Sequence, residues 1–127
     1  MNHHRILVVE DNPKNLKLVK DVLTHWGYDV IEASTGEDGV RLADEASPDL
    51  VLMDLQLPGI DGMEALRRIR QGDHNPKVPV VAVTAFAMSE DRERAFDGGF
   101  DGYVEKPISV RDLQHQVRDF LQLGGAR

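Results

Sequence analysis

Short apolar runs alternate with longer amphipathic stretches along the chain. Ile6-Leu7-Val8-Val9, Leu50-Val51-Leu52-Met53 and Val80-Val81-Ala82-Val83 contain no polar position. Runs of this length bounded by polar clusters read as strands buried on both faces, as in a parallel sheet covered by helices. Two further runs, Tyr28-Asp29-Val30-Ile31-Glu32 and Gly102-Tyr103-Val104-Glu105, carry charges and read as edge strands. Between the runs the period is helical, over Pro13–Trp26, Gly36–Ala46, Gly62–Gln71, Ser89–Asp97 and Val110–Leu123. Leu16, Val19, Leu23 and Trp26 fall on one face of the first, and Leu113, Val117 and Phe120 on one face of the last. The start signals agree. Asn12 before Pro13 gives an N-cap and an N1 proline, and Thr35, Asp61 and Ser109 each stand three residues before an acidic residue, as in a capping box. Gly27, Gly72 and Gly98-Gly99 stand where helices end. Asp73–Lys77 reads as a polar loop.

Regular alternation of strand and helix predicts an α/β fold: a doubly wound, five-stranded parallel sheet with five helices. The charged strands belong at the edges, which gives the order 2-1-3-4-5, the flavodoxin-like arrangement. Right-handed crossovers then place helices on both faces. Ligands in such sheets bind at the carboxyl ends of the strands, at the switch point between the first and third.

Length and charge narrow the picture. The 127 residues suit one domain, 1–127, with one continuous organisation and no internal linker. No apolar stretch approaches the roughly 18 residues of a membrane span, and the N-terminus lacks a signal-peptide core. The cytoplasm is the expected location. The absence of cysteine excludes disulfides, thiolate metal sites and cysteine nucleophiles. A formal net charge of −7 argues against non-specific nucleic-acid binding.

The strand ends carry the candidate chemistry. The first strand runs into Glu10-Asp11, the third into Asp54, the fourth into Thr84 and the fifth into Lys106-Pro107. If all point the same way, three carboxylates, a hydroxyl and an ammonium meet at one sheet edge. Mg²⁺ prefers such oxygen ligands, usually one or two carboxylates plus waters and a phosphate oxygen. Asp11 and Asp54 could supply the carboxylates, with Glu10 holding a water. Without metal the carboxylates repel one another, so one should be harder to ionise. A carboxylate can also attack phosphorus and carry an acyl phosphate. Lys106 would neutralise a phosphoryl oxygen and Thr84 would donate a hydrogen bond to another.

This set resembles the receiver domain of two-component response regulators. The matching pieces are Val9-Glu10-Asp11-Asn12, Met53 to Gly62 (MDLQLPGIDG), Val83-Thr84-Ala85 and Lys106-Pro107, in order and spacing across essentially the whole chain. Val80–Met88 with Lys106-Pro107-Ile108-Ser109 is similar to single-domain receivers of the DivK type. The resemblance implies that Asp54 is the phosphoacceptor and that Asp11, Asp54 and the backbone carbonyl of Gln56 ligate Mg²⁺, with Glu10 acting through water. It implies that Lys106, before a cis proline bond, pairs with the phosphate, and that Thr84 and Tyr103 form a switch pair. The partners it implies are a histidine kinase or histidine phosphotransfer protein docking near Asn12, Asn15, Leu16 and Pro107-Ile108, and a downstream protein meeting the face of the fourth helix, fifth strand and fifth helix. Neither nucleic acid nor membrane is expected as a partner, and no turnover enzyme activity beyond the protein's own phosphorylation and dephosphorylation. Gln56 and Phe86 would flank the line of attack of water on the acyl phosphate, which predicts slow self-hydrolysis.

Simpler readings stand beside these. A lone strand-end aspartate is usually a loop or cap residue, and Asp61 is better explained as an N-cap than as a ligand. Tyr103 could serve edge-strand packing alone. The five histidines show no i, i+4 pair and read as surface residues. An aspartyl phosphatase of the haloacid-dehalogenase type would want an aspartate where Gln56 stands. A receiver-like module that is never phosphorylated usually lacks one of the acidic residues or the lysine, all of which are present here. Gly124–Arg127 is too short for an effector domain, so output is expected through protein contact or onward relay; a piece of a longer regulator or hybrid kinase would read the same way.

Overall fold

A computed structural model of the chain describes residues 4–85 and 89–125. Its elements follow the alternation: β1 (Arg5–Val9), α1 (Pro13–His25), β2 (Asp29–Ala33), α2 (Gly36–Glu45), β3 (Leu50–Asp54), α3 (Gly62–Arg70), β4 (Val80–Thr84), α4 (Ser89–Asp97), β5 (Gly102–Glu105) and α5 (Val110–Gly125). The strands form one sheet in the order β2-β1-β3-β4-β5, and every pairing is parallel. The charged strands are the edges, as expected.

Period-two alternation divides the core. Leu7, Val9, Val51, Met53, Val80 and Ala82 face one side, where they pack with Ala43 of α2, Ala65, Leu66 and Ile69 of α3, and Ala95 of α4. Ile6, Val8, Leu50, Leu52, Val81 and Val83 face the other, against Val19 and Leu23 of α1 and Leu113, Val117 and Leu121 of α5. The central strands therefore bury both faces, which is why their polar residues, Arg5, Asp54 and Thr84, stand only at strand ends. Burying each large aliphatic side chain stabilises by about 1.5–3 kcal/mol.

The caps behave as the sequence indicates. Asn12 accepts from Lys14 N and Asn15 N. Thr35, Asp61 and Ser109 accept from Asp38 N, Glu64 N and Asp112 N. Two helices end in a Schellman arrangement. Gly27 N donates to Thr24 O and Tyr28 N to Leu23 O, with Gly27 at φ +90°; Gly99 N donates to Phe96 O and Phe100 N to Ala95 O, with Gly99 at φ +109°. That leaves Tyr28 inside the α1 terminus, and β2 starts one residue later than expected.

Two helix ends depart from the glycine reading. After α2, Ser47 takes the left-handed conformation at φ +49°. Gly72 is not left-handed; α3 closes through a tightened last turn, with Gln71 N donating to Arg68 O and Gly72 N to Ile69 O. The polar loop that follows is tied down on two sides. Asn75 donates to Ala43 O and Pro48 O, and the Arg70 guanidinium donates to Pro76 O and Val78 O.

In the same loop His74 meets Asp44 of α2: His74 N donates to Asp44 Oδ1 at 2.8 Å, and Nδ1 lies 3.1 Å from Oδ2. The side-chain hydrogen bond to Asp44 raises the His74 pKa above its ordinary 6.5, and the His74 backbone N–H, followed by its ring, lowers that of Asp44. A histidine with a raised folded pKa contributes stability that is full below its unfolded pKa and is lost as pH rises through the folded value. The imidazole is well exposed, so the contribution is small. We expect Asp44→Asn to return the His74 titration, followed by imidazole NMR, to the ordinary value; an unchanged midpoint would show that the contact does not form in solution.

Candidate functional site

All five parallel strands end at one edge of the sheet, and the backbone ladder continues one residue past β1, β3 and β5. Glu10 N donates to Ala33 O at 3.0 Å, Leu55 N to Val83 O at 3.0 Å and Lys106 N to Thr84 O at 2.8 Å. These bonds fix where the chain turns, and therefore where the polar side chains at the strand ends sit. Three of those side chains are the buried polar residues among the described ones: Glu10, Asp54 and Thr84, at 4%, 3% and 1% exposure.

A lysine bridges the two carboxylates. Lys106 Nζ lies 2.9 Å from Glu10 Oε1 and 3.1 Å from Asp54 Oδ2. The Lys106-Pro107 bond is cis. The remaining carboxylate oxygens are held by backbone: Asn12 N donates to Glu10 Oε2 at 3.1 Å and Gln56 N to Asp54 Oδ1 at 2.9 Å. Both oxygens of each buried carboxylate are thus satisfied, the condition for keeping such groups inside a fold.

Electrostatics follow from this packing. Burial pushes the Glu10 carboxyl above its ordinary value, Lys106 and the Asn12 N–H pull the other way, and Asp54 adds to the rise. The net effect makes Glu10 harder to ionise than an ordinary glutamate. Burial works against the Lys106 ammonium, but its bonds to Glu10 and Asp54 prevail and hold its pKa above the usual 10.5. Lys106 therefore stays charged at neutral pH.

Asp11 completes an acidic group. Glu10, Asp11 and Asp54 each offer a carboxylate oxygen, all within 4.8 Å of one another. Two of the three are buried and Asp11 is exposed, so the group opens to water on one side. Hard oxygen donors on an open rim suit a divalent cation such as Mg²⁺, which retains several waters. Glu10, Asp11 and Asp54 could hold one. What the structure places at Gln56 is its N–H, on Asp54; the role of its carbonyl remains an implication of the resemblance.

The other expected residues fall as follows. Thr84 closes β4 and is buried. Tyr103 is half-buried on β5, opposite Ala82 of β4, with the Arg92 guanidinium of α4 at 5.4 Å from its ring centroid. Arg92 escaped the sequence reading, because nothing in the pattern of α4 says which exposed residue faces β5. Asn12 and Pro107 are exposed and Asn15, Leu16 and Ile108 half-buried around the mouth. Asp61 is an N-cap, and caps Glu64. Phe86 lies outside the described residues; Gln56 and Ala85 are exposed. Phe96 of α4 is a large exposed hydrophobic, and so is Val110 at the start of α5, which lines a groove with Asp21, Val22, His25 and Trp26 at the end of α1; neither is singled out by the sequence.

Comparison with known proteins agrees with this geometry. The family profile of the response regulator receiver domain matches residues 6–118. The polar-differentiation response regulator DivK of Brucella anthropi is 41% identical over 116 residues, 91% of this chain and 94% of that protein. The protein of the same description from Brucella ovis is 40% identical over the same shares. Among solved structures, the receiver domain of a sensor histidine kinase from Pseudomonas aeruginosa PAO1 superposes with a TM-score of 0.86 at 36% identity, covering 94% of this chain and 98% of that one. That crystal structure has a magnesium ion coordinated in its active-site cleft. A CheY-like receiver domain protein from Methanospirillum hungatei JF-1 gives 0.86 at 29% identity, covering 97% of each chain. With a strand order, a lysine-bridged carboxylate pair and a relative of this kind all in agreement, the chain belongs to the response regulator receiver domain family of two-component signalling.

Proposed function

We propose that this receiver takes a phosphoryl group from a phosphohistidine of a kinase or phosphotransfer protein onto Asp54, changes its protein contacts while it holds the group, and loses it to water. The observation that carries the reading is the Asp54 carboxylate itself. It is buried at the sheet edge, held through one oxygen by the Gln56 N–H and through the other by Lys106, with Glu10 and Asp11 beside it. In the transfer, an Asp54 oxygen attacks phosphorus as the P–N bond to the imidazole breaks, and the imidazole nitrogen leaves with the electron pair. Phosphoryl transfer needs chiefly positioning and charge stabilisation. Lys106, already at Asp54 Oδ2, supplies a permanent positive charge to the arriving oxygens. Thr84, at the end of the adjacent strand, is the hydroxyl suited to a further phosphoryl oxygen.

Glu10, Asp11 and Asp54 are the residues that would hold Mg²⁺, and a bound ion would offset the repulsion between nucleophile and donor. In this reading the protein assists its own phosphorylation and dephosphorylation and turns over no separate substrate. No helix among the described residues is long and apolar enough to cross a membrane.

The deciding experiment is incubation with acetyl phosphate, read by intact mass spectrometry. One phosphoryl group should be gained with Mg²⁺ and none in chelator. Mg²⁺ alone should also stabilise the fold by about 1.4 kcal/mol at tenfold excess over its Kd, from RT ln(1 + [L]/Kd). Superimposable melting curves with and without the ion would remove the metal from the site.

The proposed output surface is the face of α4, β5 and α5, where Tyr103 sits under Arg92 and where Phe96 of α4 is exposed. Phosphorylation adds charge and acceptor oxygens that Thr84 can meet, and a move of Thr84 alters the packing beside Tyr103. Amide shifts on beryllofluoride addition should extend from Asp54 to Tyr103 and α4. Shifts confined to the acidic cluster would place the output elsewhere.

A further inference from the structure

The loop between β3 and α3 carries the Gln56 N–H that fixes Asp54 Oδ1. Its ends are tied down, Leu55 N to Val83 O and Gly62 N to Leu55 O. Its far side leans on the first turn of α2. A Cβ built on Gly36 would lie 2.6 Å from Ile60 Cγ1 and 2.8 Å from Ile60 O. The Glu37 carboxylate covers Gly59, which sits at φ +75°, so close that a Cβ there would be 2.9 Å from Glu37 Oε2. The side chain and carbonyl oxygen of Ile60 lie directly against the Gly36 backbone, with no room for a side chain at position 36.

The α2 turn can serve as a stop because it is itself held. Thr35 caps it through Asp38 N, Gly39 N donates to Thr35 O, and Gly39 is pressed onto the methyl groups of Val9 in β1. The preceding strand end is bonded to the site, since Ala33 O accepts from Glu10 N. Gly36 opens the helix and is buried, a position where alanine would otherwise be the better helix former. Its value lies in the contact it permits.

We propose that the first turn of α2 positions the phosphoacceptor: the close packing of the Gly36 backbone against the side chain and carbonyl of Ile60 sets the β3–α3 loop, and through the loop the Gln56 N–H that orients Asp54. Gly36 and Ile60 are positioning residues and touch no reacting atom. The proposal rests on the reading of Asp54 as phosphoacceptor. A misplacement of about 1 Å at a reacting group costs on the order of a hundredfold in rate, so a loop displaced by one methyl group is expected to slow phosphorylation about tenfold or more.

The test compares Gly36→Ala with Gly102→Ala. Gly102 begins β5 at the opposite end of the sheet, where a Cβ would strike the Phe120 ring, so it is crowded to a similar degree without facing the loop. Three readouts are taken on each protein: melting temperature, the Gln56 amide shift, and the rate of Asp54 labelling by acetyl phosphate with Mg²⁺. Gly36→Ala should shift the Gln56 amide and slow labelling about tenfold or more, while Gly102→Ala lowers the melting temperature and labels at the wild-type rate. Ile60→Ala, which empties the contact instead of crowding it, should also move the Gln56 amide and slow labelling, and keeps the test decisive if Gly36→Ala does not fold. Combining the two substitutions should recover part of the rate lost in Gly36→Ala, because Ile60 side-chain atoms are two of the three nearest neighbours of the added methyl. Wild-type labelling rates and an unmoved Gln56 amide in the folded variants would overturn the proposal. A wild-type protein that takes no label would instead overturn the reading of Asp54, and the Gln56 shifts would still decide the positioning contact.

Discussion

Asp54→Asn should end phosphoryl uptake while leaving a folded protein. The amide that replaces the carboxylate is no nucleophile at neutral pH, so the acyl phosphate cannot form. The fold has reason to persist. Lys106 keeps its 2.9 Å contact with Glu10, and the amide oxygen can still accept from either Gln56 N or Lys106. The loss of one negative charge also relieves Glu10, whose carboxyl Asp54 helps to hold above its ordinary value. The Glu10 pKa should therefore fall toward normal in the variant. A raised folded carboxyl pKa works against folding once pH exceeds the unfolded value, so this relief favours the folded state at neutral pH and offsets part of the hydrogen bond that is lost. Intact mass after treatment with acetyl phosphate and Mg²⁺ checks the first part, and carboxyl NMR of Glu10 the second. Equal labelling of the variant would make another group the acceptor, with exposed Asp11 the first to examine.

Much of this molecule is legible in its sequence because two signals reinforce each other. The all-apolar runs at Ile6–Val9, Leu50–Met53 and Val80–Val83 say which strands are central, and the charges in Asp29–Glu32 and at Glu105 say which are not. Once the order follows, parallel strands must deliver Glu10, Asp11, Asp54, Thr84 and Lys106 to one edge, and the structure places them there. Caps are equally readable, since Asn12, Thr35, Asp61 and Ser109 act on backbone groups two or three residues away.

Contacts between distant segments are not readable in this way. Nothing local marks Asp44 as the partner of His74, or ties Asn75 to Ala43 O and Pro48 O, because each pairing depends on how α2 and the loop before β4 lie across the sheet. Gly72 shows a different limit. A glycine after a helix has the same appearance whether it adopts the left-handed turn, as Gly27 does, or only follows a tightened last turn. Gly36 shows the converse. By propensity it is a poor helix residue, and only the approach of Ile60 explains it. The position of Lys106 between two carboxylates also had to come from the structure. Spacing brings the amine to the edge, and the side chain then settles where two buried anions lie within reach of one ammonium.

That bridge makes Lys106→Met the substitution with the largest expected effect on stability. The Lys106 side chain is 17% exposed, with Glu10 at 6% and Asp54 at 3%, so the three charges are largely shielded from water. Breaking a buried pair costs about 3–5 kcal/mol because the remaining charge is left uncompensated. We expect a loss of about 3 kcal/mol at pH 7, the low end of that range, since the site opens to solvent at Asp11 and Glu10 can take up a proton. The pH dependence identifies the cause. In the wild type Lys106 opposes the rise in the Glu10 pKa that burial and Asp54 produce. Without the ammonium the folded pKa climbs further, while the unfolded value stays near the ordinary ~4.3. A carboxyl whose folded pKa is raised contributes no penalty below its unfolded pKa, and a growing one as pH rises through the interval between the two. The deficit relative to wild type should be small near the unfolded pKa, grow toward neutrality, and shrink again when Mg²⁺ is added to the acidic cluster. Urea unfolding of both proteins at acid and neutral pH, with and without Mg²⁺, measures all three. Methionine retains most of the length and apolar volume of the lysine stem, so a deficit of the same size at every pH would assign the loss to packing and not to charge.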